Sequence, residues 1–195
     1  MRPRVPPHPT LVYLGKVVML AAAYYATARL GLSYASIGRS VSLIWPPSGI
    51  AFAALALLGY RYWPGVAAGA FLANAATGIP ILASLGIASG NTLEAFLAAF
   101  LLRRATGGRP QLTDLGTVRT LVLLAAPLGA LCSAIFGTLS LLATGALPGS
   151  LAAAAAVWWT GDLLGMLVVG PAFLAWGTAR QEGDSTRRLI ELLLL

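Results

Sequence analysis

A chain of 195 residues with 58% hydrophobic and only 10% charged residues departs from a soluble globule, which is about 45–50% apolar and about 25% charged. So few charges could not cover a water-soluble sphere of this size, which excludes a soluble enzyme, a disordered chain and a nucleic-acid-binding domain as first readings. The net charge of +7 comes from 13 Lys and Arg against 6 Asp and Glu, and the cations fall mostly between apolar runs, a topology pattern rather than a nucleic-acid patch.

Residues 1–10 are Pro-rich and basic and read as a tail. Residues 11–31 form the first expected span, with Lys16 and Arg29 each within snorkelling reach of an end. That run is as long as a membrane span and no small-residue cleavage site follows it, so it reads as an anchor rather than a cleaved signal. Residues 32–42 are a polar loop with Arg39. The second span, 43–59, contains Trp45-Pro46-Pro47-Ser48-Gly49 near its start. Two adjacent prolines suit the first turn of a helix and not its middle. Tyr60-Arg61-Tyr62-Trp63 is a short aromatic loop of the kind found at a membrane interface.

The third span, 63–77, carries Gly65, Gly69 and Ala73, and the fourth, 80–102, carries Gly86 and Gly90. Small residues four apart let helix backbones approach closely in lipid. Arg103 to Arg119 is the clearly hydrophilic segment. The fifth span, 120–142, contains Pro127, and a turn follows at 143–149. The sixth, 150–176, is long enough that Gly161-Asp162 and Pro171 are expected to break or tilt it. The fold class is therefore all-α: a polytopic integral membrane helical bundle of about six transmembrane helices, both termini cytoplasmic. Its parts are a tail (1–10), a membrane domain (11–177) and a cytoplasmic linker or start of a further helix (178–195).

The orientation follows from the charge map. Arg2, Arg4, Arg61, Arg103, Arg104, Arg109, Arg119, Arg180, Arg187 and Arg188, ten of the 13 cations, fall on one side. Arg39 lies outside, Arg29 near the outer end of the first span and Lys16 in its inner part. This is a positive-inside pattern.

Glu94 and Asp162 are the acidic residues well within apolar runs, both near mid-depth. A carboxylate near the bilayer centre costs roughly 2.5–3.5 kcal/mol on insertion scales, so something must offset it. Either the acids stay protonated through desolvation or they pair with Arg29. Asn91 shares a helix face with Glu94. Together with Asn74, Trp45, Pro46, Pro47, Trp158 and Trp159 they define a candidate outward-facing ligand pocket, with aromatic walls and a few convergent polar groups. A second reading fits as well: the polar residues lock helices together, the tryptophans anchor at the interface and the prolines fix a helix start. No Ser/His/Asp set is possible with one histidine, His8, in the tail. One cysteine, Cys132, offers neither a disulfide nor a metal site. No phosphate-binding glycine loop is present. These residues read as non-enzymatic, with no cofactor.

Several motifs, in order, resemble the type-one membrane-associated sensor (MASE) domain family of bacterial signalling proteins. They are Leu43-Ile44-Trp45-Pro46-Pro47-Ser48-Gly49-Ile50-Ala51, Leu58-Gly59-Tyr60-Arg61-Tyr62-Trp63-Pro64-Gly65, and Gly69-Ala70-Phe71-Leu72-Ala73-Asn74. Gly90-Asn91-Thr92-Leu93-Glu94-Ala95 and Trp158-Trp159-Thr160-Gly161-Asp162-Leu163-Leu164-Gly165 with Pro171 follow. The match covers roughly residues 10–177. The resemblance implies a multi-pass signal-input domain of the bacterial inner (plasma) membrane. It would detect a small ligand or membrane partner and act on a cytoplasmic signalling module in cis, such as a histidine kinase, diguanylate cyclase or phosphodiesterase, with homodimerisation possible. It assigns no role to any single residue. In the family further spans usually precede the output module, so the stop at Leu195 is read as a truncated piece or a short stand-alone relative. An alternative from architecture alone is the substrate-binding membrane component of an energy-coupled vitamin or small-molecule transporter.

Overall fold

The computed structural model describes residues 9–33, 45–108, 110–112 and 114–181. Regular structure among them is helical, in α1 (Pro9–Ser33), α2 (Pro46–Leu58), α3 (Trp63–Ala75), α4 (Ile81–Ala105), α5 (Leu115–Ala143) and α6 (Leu151–Gly177, running on to Gln181). A 3-10 turn, Tyr60–Tyr62, joins α2 to α3. Most of the expected tail, most of the 32–42 loop and most of the 178–195 segment lie outside the described residues, and α1 already includes Pro9 and Thr10.

Large apolar side chains face outward and small or polar ones inward. On α5, Leu128, Leu131, Ile135, Leu139 and Leu142 are exposed, while Ala126, Gly129, Ala130, Ser133, Ala134 and Gly137 are buried. Water would disfavour that surface and lipid favours it. With lipid tails as apolar as leucine, helices associate through close packing and interhelical hydrogen bonds. Four helices, α1, α4, α5 and α6, are long and apolar enough to cross a membrane.

The small residues set the register. A Cβ at Gly65 would lie 2.7 Å from the Val17 carbonyl oxygen, and one at Gly69 2.8 Å from that of Ala21. So α1 and α3 run side by side in the same direction. A Cβ at Gly90 would lie 2.6 Å from the Phe136 Cβ, and one at Gly129 3.2 Å from the Glu94 carbonyl oxygen. That pairs α4 and α5 antiparallel. Gly137 makes room for the Trp158 ring, which seats α6 on α5.

Cations and aromatics gather at one end. The Tyr13 hydroxyl donates to the Arg61 carbonyl at 3.0 Å, and Arg103 Nη1 donates to the Ala56 carbonyl at 2.6 Å. Arg61 lies 5.0 Å and Lys16 5.8 Å from the Tyr62 ring centre, and Arg103 lies 5.5 Å from that of Tyr60. Each cation meets an aromatic face, an attraction worth about 0.5–1 kcal/mol at exposed sites. At the opposite end Arg29, Leu32, Ser33, Ala76 and Thr77 line a cavity of about 310 Å³.

Three expectations change. α2 and α3 each have 13 residues, about 20 Å at 1.5 Å per residue, shorter than the roughly 30 Å hydrocarbon core. The hydrophilic stretch 103–119 is helical at both ends: α4 runs to Ala105 and α5 starts at Leu115. The long sixth helix is not broken at Gly161-Asp162 or at Pro171. Instead one wide π turn, Gly165–Val169, sits just before Pro171, and a matching one, Leu121–Ala125, just before Pro127. Proline lacks an N–H and its ring clashes with the carbonyl four residues back. A local π turn takes up that mismatch while the helix continues.

A buried polar cluster at the start of α2

The first N–H groups of any helix lack intrahelical acceptors, a serious cost if that end is buried away from water. The start of α2 is buried, and its sequence answers the problem residue by residue. Pro46 and Pro47 have no N–H to satisfy. The Trp45 N–H donates to the Gly161 carbonyl on α6 at 3.0 Å, and the Ser48 N–H donates to the Trp45 carbonyl at 3.2 Å. The next residue, Gly49, lets the backbone touch α6. A Cβ there would run into the Gly165 carbonyl oxygen, and a Cβ at Gly165 would run into that of Trp45. The Trp-Pro-Pro-Ser-Gly motif and the Gly-Asp-Leu-Leu-Gly motif are two halves of one backbone-to-backbone contact.

That contact makes α2 begin inside the bundle. Its first turn lies beside Gly161 and Gly165 in the middle of α6, and its last turn reaches Arg103 near the basic end. The positive end of its macrodipole therefore points into the centre of the bundle. There Ser48 meets both acids. Its Oγ lies 3.1 Å from Glu94 Oε2 and 3.0 Å from Asp162 Oδ1. Glu94 is 0% exposed and Asp162 1%. Their other oxygens, Glu94 Oε1 and Asp162 Oδ2, are buried without a hydrogen-bond partner.

A second chain of hydrogen bonds runs alongside. The Trp158 indole N–H donates to Ser133 Oγ at 3.1 Å, Ser133 donates to the Asn91 Oδ1 at 2.7 Å, and Asn91 Nδ2 donates to the Tyr24 hydroxyl at 2.8 Å. One serine, one amide and one phenol thus tie α6, α5, α4 and α1 together. Ser133 also neighbours both carboxyl groups, and the Trp45 side chain approaches the Tyr24 hydroxyl.

Of the nine candidate residues, Trp45, Pro46, Pro47, Asn91, Glu94, Trp158 and Asp162 come together here. Asn74 does not: it is buried on α3 and its Nδ2 donates to the Ala70 carbonyl one turn back at 2.9 Å. Trp159 points elsewhere and donates to the Pro127 carbonyl at 3.1 Å, the proline that ends the wide turn of α5. Both indole N–H groups find acceptors on α5. Arg29 lies at the far-end cavity and forms no ion pair with either acid. Sequence reasoning missed Tyr24, Ser48 and Ser133. Ser48 lies within the Trp-Pro-Pro-Ser-Gly motif; a tyrosine and a serine within apolar runs carry no signal until the helices are paired.

An all-helical bundle with outward leucines, inward small residues and a buried acid–serine–amide core, four of its helices long and apolar enough to cross a membrane, belongs to the class of membrane-associated helical domains. Over residues 17–193 the chain matches the MASE1 family model and belongs to that family of membrane-associated sensor domains. Neither a curated protein nor a solved structure matches it.

Proposed function

We propose that this chain is the signal-input domain of a bacterial inner-membrane signalling protein, with the basic end in the cytoplasm and six helices traversing or entering the bilayer. A small ligand or membrane partner acting from the far half would repack the helices around Glu94 and Asp162. The contact residues of that event are drawn from Trp45, Pro46, Pro47, Asn74, Asn91, Glu94, Trp158, Trp159 and Asp162. The observation that carries the reading is the position of α6. It holds Asp162 against Ser48 and Glu94 inside the bundle, and the same helix runs to the basic end, where a histidine kinase or diguanylate cyclase module in cis would follow. A shift of the α2–α6 contact would thus be delivered to the effector by a single continuous helix.

The test uses the full-length parent with Asn91, Glu94 and Asp162 all replaced by Ala, checked for normal membrane insertion. Loss or locking of regulated output is expected. Unchanged regulation would refute the reading.

A further inference from the structure

Ser48 stands between two carboxyl groups and has one hydroxyl proton. Its Oγ is within hydrogen-bond range of Glu94 Oε2 and Asp162 Oδ1 at once. If both acids were ionised, that proton could serve one of them, and the other pair of oxygens would face each other at about 3 Å with lone pairs opposed. If one acid holds a proton, both contacts become good bonds. The protonated carboxyl donates to Ser48, and Ser48 donates to the remaining carboxylate.

The surroundings point the same way. Among the described residues no cation reaches either acid, and Glu94 Oε1 and Asp162 Oδ2 have no partner. The other ionisable groups facing the pair are Tyr24 from α1 and Cys132 from α5; α2 and α3 carry none. Neither Tyr24 nor Cys132 can supply a positive charge. Partial compensation comes from the start of α2, whose dipole favours one negative charge in front of it. Two buried charges in lipid exceed what a helix end supports.

We infer that Glu94, Ser48 and Asp162 form a proton-binding site inside the membrane, which holds one proton at rest and whose emptying releases the first turn of α2 from α6. The ligand is the proton itself. The two unpartnered oxygens are the positions open to a second one. When the resting proton leaves, the pair carries two negative charges around a serine on the very turn that holds α2 to Gly161 and Gly165. Repulsion then acts along that contact. This inference stands on the geometry of the pair and does not need the sensor reading.

Infrared difference spectra of the full chain in lipid nanodiscs, from mildly acidic to alkaline pH, test it without any signalling readout. The expected result is a protonated-carboxyl C=O band at neutral pH in the wild type that vanishes in both Glu94→Gln and Asp162→Asn. In either variant the amide N–H₂ replaces the donated proton, and the remaining acid ionises. Alkaline pH is expected to lower the wild-type melting temperature by several degrees more than that of Glu94→Gln. A wild type without the band at neutral pH overturns the inference, including the case in which added sodium stabilises it, because the pair is then ionised. A half-strength band surviving in both variants overturns the single resting proton. Parallel loss of stability in wild type and both variants at alkaline pH overturns the release of α2. Should Asp162→Asn fail to insert, Glu94→Gln alone decides each outcome.

Discussion

Glycine, serine and proline carry the specificity of this bundle, each for a different reason. Gly49 and Gly165 let two backbones touch, and a Cβ at either would overlap a carbonyl oxygen of the other helix. Gly49→Ala is expected to destabilise the bundle by about 1–3 kcal/mol, the usual cost of forcing an extra methyl into a packed contact. Gly15→Ala is the control. Gly15 is in a helix with nothing within 4 Å of the added Cβ, so the same chemical change should stabilise by roughly 0.5–1 kcal/mol. Thermal unfolding in detergent measures both, and equal effects would refute the contact. Ser133 accepts from Trp158 and donates to Asn91. Ser133→Ala should cost about 1–3 kcal/mol, because it strands two buried polar partners. These roles were unevenly visible beforehand. Glu94 and Asp162 stand out in any apolar run because charge there is rare. Ser133 and Tyr24 do not, since neither is costly enough by itself to demand an explanation.

At the scale of the element, the ends and the wide turns matter most. α5 begins at a built cap: Asp114 accepts from the Thr117 N–H at 2.9 Å and from its hydroxyl at 2.7 Å. These bonds, the side-chain one first, hold the Asp114 carboxyl below the usual aspartate value. A carboxyl depressed on folding stabilises above its unfolded pKa, and that contribution is lost as pH falls through the folded value. Protection of the first-turn amides of α5, taken relative to their intrinsic exchange rate at each pH, should therefore fall in acid, and Asp114→Asn should flatten that dependence. Protection that ignores pH in the wild type would refute the cap. The π turn before Pro171 is a second device. Pro171→Ala restores an N–H and lets the turn close to α, which rotates the rest of α6 by about 100° per residue withdrawn. Leu57 packs against Gly177, so a Leu57→Cys/Gly177→Cys pair in a Cys132→Ser background should cross-link readily and lose that cross-link with Pro171→Ala. The sequence read Pro171 as a break or tilt, because proline rules alone cannot tell a break from a widened turn. Packing decides it, and here α2 holds α6 on both sides of the turn.

For the molecule as a whole, the described cations Lys16, Arg61, Arg103, Arg104 and Arg119 lie toward one end and Arg29 at the other. Reporter fusions at residues 110 and 185 are expected to report cytoplasmic positions and a fusion at 146 the opposite one; any inversion would refute the orientation. Composition alone established that lipid is the solvent, since 10% charged residues cannot clothe a soluble surface. Spacing established the helices and the small-residue faces, because the helical period places residues four apart on one side. The family resemblance rested on short motifs in order, and the chain does belong to that family. What the sequence could not show is that α2 starts in the middle of the bundle rather than at its edge. Apolar length looks the same for a crossing helix and for one that begins beside Gly161. Only the tertiary structure, by docking Trp45 and Gly49 on α6, put a serine between two acids that lie 68 residues apart along the chain (162 − 94). Which polar groups meet in lipid depends on helix pairing and depth, and those are set by backbone contacts between segments far apart in the chain.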